Sequence, residues 1–333
     1  MRNCVSFFLS FVVCLLIFPA DVSAKPEPIK VVASFSILAD WIQVVGAEQV
    51  DVQSLVKKDE DVHVYKATPQ DMALLSGADL LVVNGMNLEG WMGRIINASG
   101  YSGNMLVASK GIDVLTAGAT NHDLHHHQIH AHTHDGEKAL LDNAVKSQRS
   151  IIADSGYADP HAWTSLREAR VYVNNIASAL AQLKPEYAEL FDSRRTDYIE
   201  KLDAMDRRAR DAFSAVPKER RNIVIPHNAF NYLARDYGFN VHSLSGLSTR
   251  SESSAQRVAM IVRAIRKANI TAIFSENISN TKLIDQVQNE TSVKVSGTLI
   301  SGALSEAKAP SYLKMMEYNL ALLSDAMGTT FRK

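Results

Sequence analysis

Cysteine is almost absent from this 333-residue chain. The two present, Cys4 and Cys14, fall within the first fourteen residues, so the rest can form neither a disulfide nor a thiolate metal site. An excess of either charge is missing too. With 35 Lys and Arg against 36 Asp and Glu, there is no basic footing for a nucleic acid or an acidic membrane surface. Nor is there a long apolar run. The most apolar stretch, Val5 to Phe18, is fourteen residues long, short of the roughly 20 that span a bilayer. Preceded by Arg2 and followed by Val22-Ser23-Ala24, it has the basic start, short apolar centre and small-residue end of a secretory signal peptide, residues 1–24. Export would make the mature protein soluble and periplasmic. Composition is otherwise that of a folded chain, 46% hydrophobic and 21% charged, and the length suits about two domains.

What is present is a repeated alternation. Short β-branched runs, Ile29 to Ser34 and Val50 to Val56, alternate with amphipathic ones such as Ile37 to Val45. Thr68-Pro69 with Asp71 marks a helix start, since Thr caps and Pro fits the first helical position. Leu80 to Val83, closed by Asn84-Gly85, reads as a buried parallel strand. The pattern predicts an α/β fold, a mainly parallel sheet flanked by helices. From Asn222 it restarts: a strand to Pro226, a helix from Phe230 to Tyr237, strands at Ala272 to Ser275 and Lys294 to Leu299, and a last helix over Tyr312 to Met327. Ser253 and Gln256 are expected to form a capping box before the Val258, Ile261, Val262, Ile265 stripe. Between the halves, apolar residues from Tyr187 to Phe213 recur at spacings of three, four and seven. A helix of thirty-odd residues there would run about 50 Å, long enough for a spine between two lobes. The organisation expected is 25–184, 185–216 and 217–333.

Histidine is the residue in surplus. Seven of eleven, His122, His125, His126, His127, His130, His132 and His134, fall within thirteen positions of a segment, 117–135, that has no apolar period. Such a loop reads as a weak secondary zinc site. Of the other four, His242 next to Val241 reads as a structural residue. The remaining three stand in Asp61-Val62-His63-Val64-Tyr65, Asp159-Pro160-His161-Ala162-Trp163 and Pro226-His227-Asn228-Ala229-Phe230. In the first two, a carboxylate two residues before and an aromatic two residues after suit an imidazole held by an acceptor and packed on an apolar wall.

On these motifs the chain resembles the metal-specific solute-binding proteins of bacterial ABC importers, the zinc-binding ZnuA-type and manganese-binding members. The likeness extends through Ala78 to Gly85 with Glu89 and Trp91, Tyr237-Gly238, Phe274-Ser275-Glu276, Gly297-Thr298-Leu299 and Tyr312 to Met316. It implies two α/β lobes joined by one long rigid backbone helix, with metal in the cleft between them. It also implies a monomer that delivers Zn2+ to a membrane permease with a cytoplasmic ATPase. The family's first three ligands fall on His63, His161 and His227. His at the third position is the zinc-type choice, and neutral imidazole suits zinc where harder oxygen ligands suit manganese. The usual fourth ligand, an Asp, falls on Gly302, which has no side chain. Glu276, a water or a loop histidine is left to complete the sphere, with Glu276 alternatively a hydrogen-bond acceptor behind a ligand. Mn2+ or iron is the alternative cargo. A zinc enzyme with a three-histidine, water-bearing site is a rival of another class, but no HExxH motif or nucleophile constellation accompanies the histidines.

Overall fold

The structure, a computed structural model, describes residues 27–116, 158–251 and 253–331. The expected signal peptide, and the loop carrying His122 to His134, lie outside the described residues.

The first sheet is built from β1 (Ile29–Phe35), β2 (Val50–Val56), β3 (Leu80–Val83) and β4 (Asn104–Val107), in the order β2-β1-β3-β4. All of its pairings are parallel. Around it lie α1 (Ser36–Gly46), α2 (Pro69–Ser76) and α3 (Met92–Ser99). The second sheet uses β5 (Asn222–Ile225), β6 (Asn240–Ser243), β7 (Ala272–Glu276) and β8 (Val295–Leu299). Its order, β6-β5-β7-β8, is the same winding. Between the sheets run α4 (Leu166–Leu183) and α5 (Ala188–Ser214), and the second half adds α6 (Asn231–Tyr237), α7 (Ala255–Ala268), α8 (Lys282–Thr291) and α9 (Tyr312–Ala326).

The expected α2 start forms as a full capping box: Thr68 Oγ1 accepts the Asp71 N–H, and the Asp71 carboxylate accepts the Thr68 N–H. The α7 start differs by one residue. Ser254, not Ser253, caps the helix by accepting the Arg257 N–H, because the Ser253 hydroxyl is donated to the Leu244 carbonyl. The spine is also shorter than its periodicity suggests. Pro185–Tyr187 forms a 3-10 turn, leaving 27 residues in α5, about 40 Å. It packs on α4, α1, α9 and α6.

One apolar core runs through both halves, from Val31 and Trp41 to Phe274 and Leu320, while a smaller one beneath α7 and α8 holds Val258, Ile261, Val262 and Ile265. At the junction the Trp41 and Tyr312 rings lie 4.6 Å apart, a contact worth about 0.5–1.5 kcal/mol beyond its burial. The Asp40 carboxylate accepts the Tyr312 N–H at 2.8 Å, and burial pushes its pKa up to about 6. Among the described residues no helix is long and apolar enough to cross a membrane.

Candidate metal centre

Three loops at the carboxyl ends of the strands converge between the sheets. His63 occupies the centre of a 3-10 turn, Val62–Val64, capped by Asp61, whose Oδ1 accepts the His63 N–H at 2.9 Å. Trp91 secures this turn by donating Nε1–H to the Val62 carbonyl at 2.8 Å. His161 precedes the turn Ala162–Thr164 that feeds α4. Asn84, at the tip of β3, donates Nδ2–H to the Pro160 carbonyl just before it. His227 lies two residues beyond β5, and Glu276 ends the neighbouring β7. That pair of strands is where the order reverses, the place at which open parallel sheets bind ligands.

The imidazoles of His63, His161 and His227 form a near-equilateral triangle with centroids 5.2, 5.3 and 5.5 Å apart. All three are buried, and each offers a ring nitrogen within 4.8 Å of the other two. Their hydrogen bonds decide what those nitrogens carry. His161 Nδ1 lies 2.7 Å from Asp159 Oδ1, so it holds the proton and leaves Nε2 a lone pair. The Glu276 carboxylate faces His227 Nδ1 with the same consequence, and His227 Nε2 is buried with no hydrogen-bond partner among the described residues. His63 Nε2 stands 3.2 Å from His161 Nε2. Three nitrogens thus meet in one buried space with two lone pairs committed to it, an arrangement that a cation would satisfy and that a buried polar atom otherwise pays for dearly.

Electrostatics favour neutral rings at two of the three. Burial pushes the His63 and His161 pKa values down, with neighbouring imidazoles and Arg250 adding to the effect at His63. Burial acts likewise on His227, but the Glu276 charge more than reverses it, so His227 titrates above the ordinary value.

Glu276 stands on the far side of His227 from the triangle. One carboxylate oxygen accepts the His227 N–H at 3.2 Å and the other the Ser301 Oγ–H at 2.8 Å. Engaged in this way, the carboxylate lies against His227 and is not among the three groups whose ligand atoms come together. The sequence pattern around the other two histidines is only half realised. Asp159 grips the His161 ring and Trp163 packs on it at 5.1 Å. Asp61, by contrast, meets His63 at its backbone N–H and not at its ring, and Tyr65 turns away to stack on Trp91 at 4.9 Å and to donate to Asp71. Both aspartates accept the backbone N–H of their histidine, and the difference lies in what else they meet: Asp159 Oδ1 also reaches the His161 ring, whereas the second oxygen of Asp61 is taken by Thr249. His242 is apart from the centre on β6, 3.3 Å from Asn222 Oδ1. Gly302 is buried, and a Cβ there would come within 2.5 Å of Ile278 Cδ1 and 3.9 Å of Val62 Cγ1.

Sequence reasoning did not single out Asn231, which crosses between the halves to hold Asp159 Oδ2 at 2.9 Å, or Ser301, which holds Glu276 and whose carbonyl takes Trp163 Nε1–H at 2.7 Å. The position of Asn231 at the start of a helix directly after the His227 motif was the available signal.

The chain is similar along most of its length to known metal-binding proteins. The iron-binding protein YfeA of Yersinia pestis is 30% identical over 312 residues, covering 93% of this chain and 89% of that protein. The manganese ABC transporter substrate-binding lipoprotein PsaA of Streptococcus anginosus is 26% identical, covering 91% of this chain and 90% of its own. Among solved structures, the periplasmic zinc-binding protein TroA of Treponema pallidum superposes with a TM-score of 0.73 at 26% identity, over 91% of this chain and 99% of that one. The profile of the ZnuA family, described as zinc-uptake complex component A, periplasmic, matches residues 31–326. The chain belongs to the ZnuA family, the extracytoplasmic metal-binding substrate-binding proteins of ABC transporters, which serve a membrane permease and its ATPase and are not enzymes.

Proposed function

We propose that this protein captures Zn2+ between its lobes through His63, His161 and His227 and delivers it to the permease for zinc uptake. The observation that carries the reading is the convergence of three buried imidazoles, with His227 Nε2 left without a partner among the described residues. Neutral imidazole is a favoured donor for zinc, and three such ligands plus a water or exchangeable group make a common tetrahedral site. The position where a carboxylate would harden the site is Gly302, whose would-be Cβ meets the Ile278 side chain. Glu276 and Asp159 orient two of the rings. Cleavage after Ala24 would release a periplasmic monomer, and the loop histidines His122 to His134 would gather further, weakly held zinc.

Manganese or iron remains a second reading because relatives are named for them. Metal analysis and competitive titration of the purified mature protein decide between the two. One tightly held zinc that excess manganese fails to displace is the expected result; preferential retention of manganese would overturn the zinc assignment. Deleting residues 121–135 should remove only weak extra zinc and leave the single tight equivalent.

A further inference from the structure

The three imidazoles are not held alike. His161 and His227 each present Nδ1 to a buried carboxylate, Asp159 and Glu276, and these are themselves anchored, Asp159 by Asn231 and Glu276 by Ser301. Among the described residues no carboxylate lies against the His63 ring, whose polar contact is His161 Nε2. A carboxylate behind a ligating imidazole fixes its orientation and raises its basicity, so His63 is the least constrained and weakest donor of the three.

What positions His63 is its backbone, held within its own half by Asp61 and Trp91 and braced from the opposite half through Asp61. Asp61 holds the His63 N–H through Oδ1, while its Oδ2 accepts the Thr249 Oγ1–H at 2.6 Å. Thr249 belongs to a tight turn closed by the Ser251 N–H on the Ser248 carbonyl, in the segment between β6 and α7. The base of that segment is stitched to the His227 loop: the Ser245 N–H and Oγ–H both donate to the Pro226 carbonyl, and the Asn228 N–H donates to the Gly246 carbonyl. One segment therefore grips both residues flanking His227 and reaches across to the cap of His63.

We infer that His63 is the exchange ligand of the centre, the last to close on the ion and the first to let go, and that Thr249 is a positioning residue that sets it through Asp61. The inference rests on the three-histidine reading of the site. It ties release of the ion to separation of the lobes, because moving the second half away withdraws Thr249 from Asp61 and loosens the turn that carries His63. Each of the other two imidazoles keeps the carboxylate on its Nδ1, that of Asp159 losing its Asn231 contact.

The test is the rate at which the zinc-loaded protein gives up its ion to an excess of a chromogenic chelator. Thr249→Val removes the hydroxyl but keeps the shape and should speed release roughly tenfold or more, in the range expected for groups that support a ligand. Thr249→Ser should restore the rate to within about twofold of the parent, and neither change should move the melting temperature of the metal-free protein. Because the effect passes through Asp61, adding Thr249→Val to Asp61→Ala should accelerate release no further; coupled residues fail to add. Unchanged release in Thr249→Val, or effects of the two substitutions that multiply, would overturn the inference while leaving the zinc site intact. A parent protein that holds no zinc would instead overturn the site assignment on which it rests.

Discussion

The two sheets share one winding order but spend a buried carboxylate differently at the same topological point. In the first, Glu89 sits at the ends of β1 and β3, accepting the Ser34 hydroxyl at 2.6 Å, the Asn84 N–H at 2.6 Å and the Gly85 N–H at 3.2 Å. In the second, Glu276 sits at the ends of β5 and β7, accepting the His227 N–H and facing His227 Nδ1. Both are almost wholly buried, 1% and 3% exposed. One is surrounded by neutral donors and braces a turn; the other leans on an imidazole. Position in an α/β sheet supplies a place for a polar group, and only the partner decides whether that group serves the fold or the cargo.

The comparison is tested hardest by the ligands themselves. Replacing His63, His161 or His227 with Ala removes a metal bond outright, so zinc affinity should fall well beyond the roughly 10–100-fold typical of groups behind a ligand. His242→Ala, on β6 with its ring beside Asn222, should leave it unchanged. Equal, small losses for all four substitutions in a competitive titration would show that the triangle is not the site.

Next come the two carboxylates. Glu276→Gln should weaken zinc binding by about 10–100-fold, because the His227 ring loses its charged acceptor, whereas Glu89→Gln should leave affinity within about twofold, its partners touching no ligand. If both substitutions cost the same, the distinction between a bracing and an orienting carboxylate fails.

Much of this arrangement was legible in the sequence, and the illegible part has a common cause. The alternation, the spine and the three histidine motifs are local signals, read from spacings of a few residues. Two short elements escaped: α3 and β4, eight and four residues long, leave too few positions for a period to show. In the site, sequence left Glu276 between two roles because the choice depends on which face of His227 it meets across 49 positions of chain. The Asp61–Thr249 contact spans 188 positions and Trp163–Ser301 spans 138. A hydroxyl or a backbone carbonyl reached over such distances has no local pattern, so the three histidines that meet could be named but most of the groups behind them could not.

Acidification separates the two halves more finely. Zinc needs neutral imidazole, so affinity should fall on acidification as each ring takes a proton. The Glu276 charge keeps His227 protonated to higher pH than an ordinary histidine, against the effect of burial. His227 is thus the first ring to take a proton as pH falls. In the metal-free protein its charge stabilises the fold fully below the ordinary value of 6.5, and that stabilisation is lost as pH rises through its raised folded value. His63 and His161, shifted down, act in the opposite sense, and their contribution is lost as pH falls below 6.5. Glu276→Gln should abolish the His227 component, so that zinc affinity begins to fall at lower pH than in the parent. Superimposable affinity profiles for the two proteins would refute the proposed coupling.

The smallest expected effect belongs to Glu89. Burial pushes its pKa up from 4.5, against the pull of its three donors, so the folded state holds this proton more tightly than the unfolded chain does. Stability contributed by the protonated carboxyl is present below 4.5 and declines as pH rises towards the raised folded value, at no more than about 1.4 kcal/mol per pH unit for one proton. Glu89→Gln removes that slope. It keeps an acceptor for Ser34 and Asn84 but turns an amide towards the Gly85 N–H, a loss of about 0.5–1.5 kcal/mol for one hydrogen bond. The variant should therefore be slightly less stable than the parent at pH 4.5 and should draw level with it as pH rises, as ionising the buried carboxyl begins to cost the parent more than the missing bond costs the variant. Urea denaturation of the metal-free proteins between pH 4.5 and 7.5 reads this directly. Parallel stability curves would mean that Glu89 is as well solvated in the fold as outside it, and the two switch points would then differ in geometry alone.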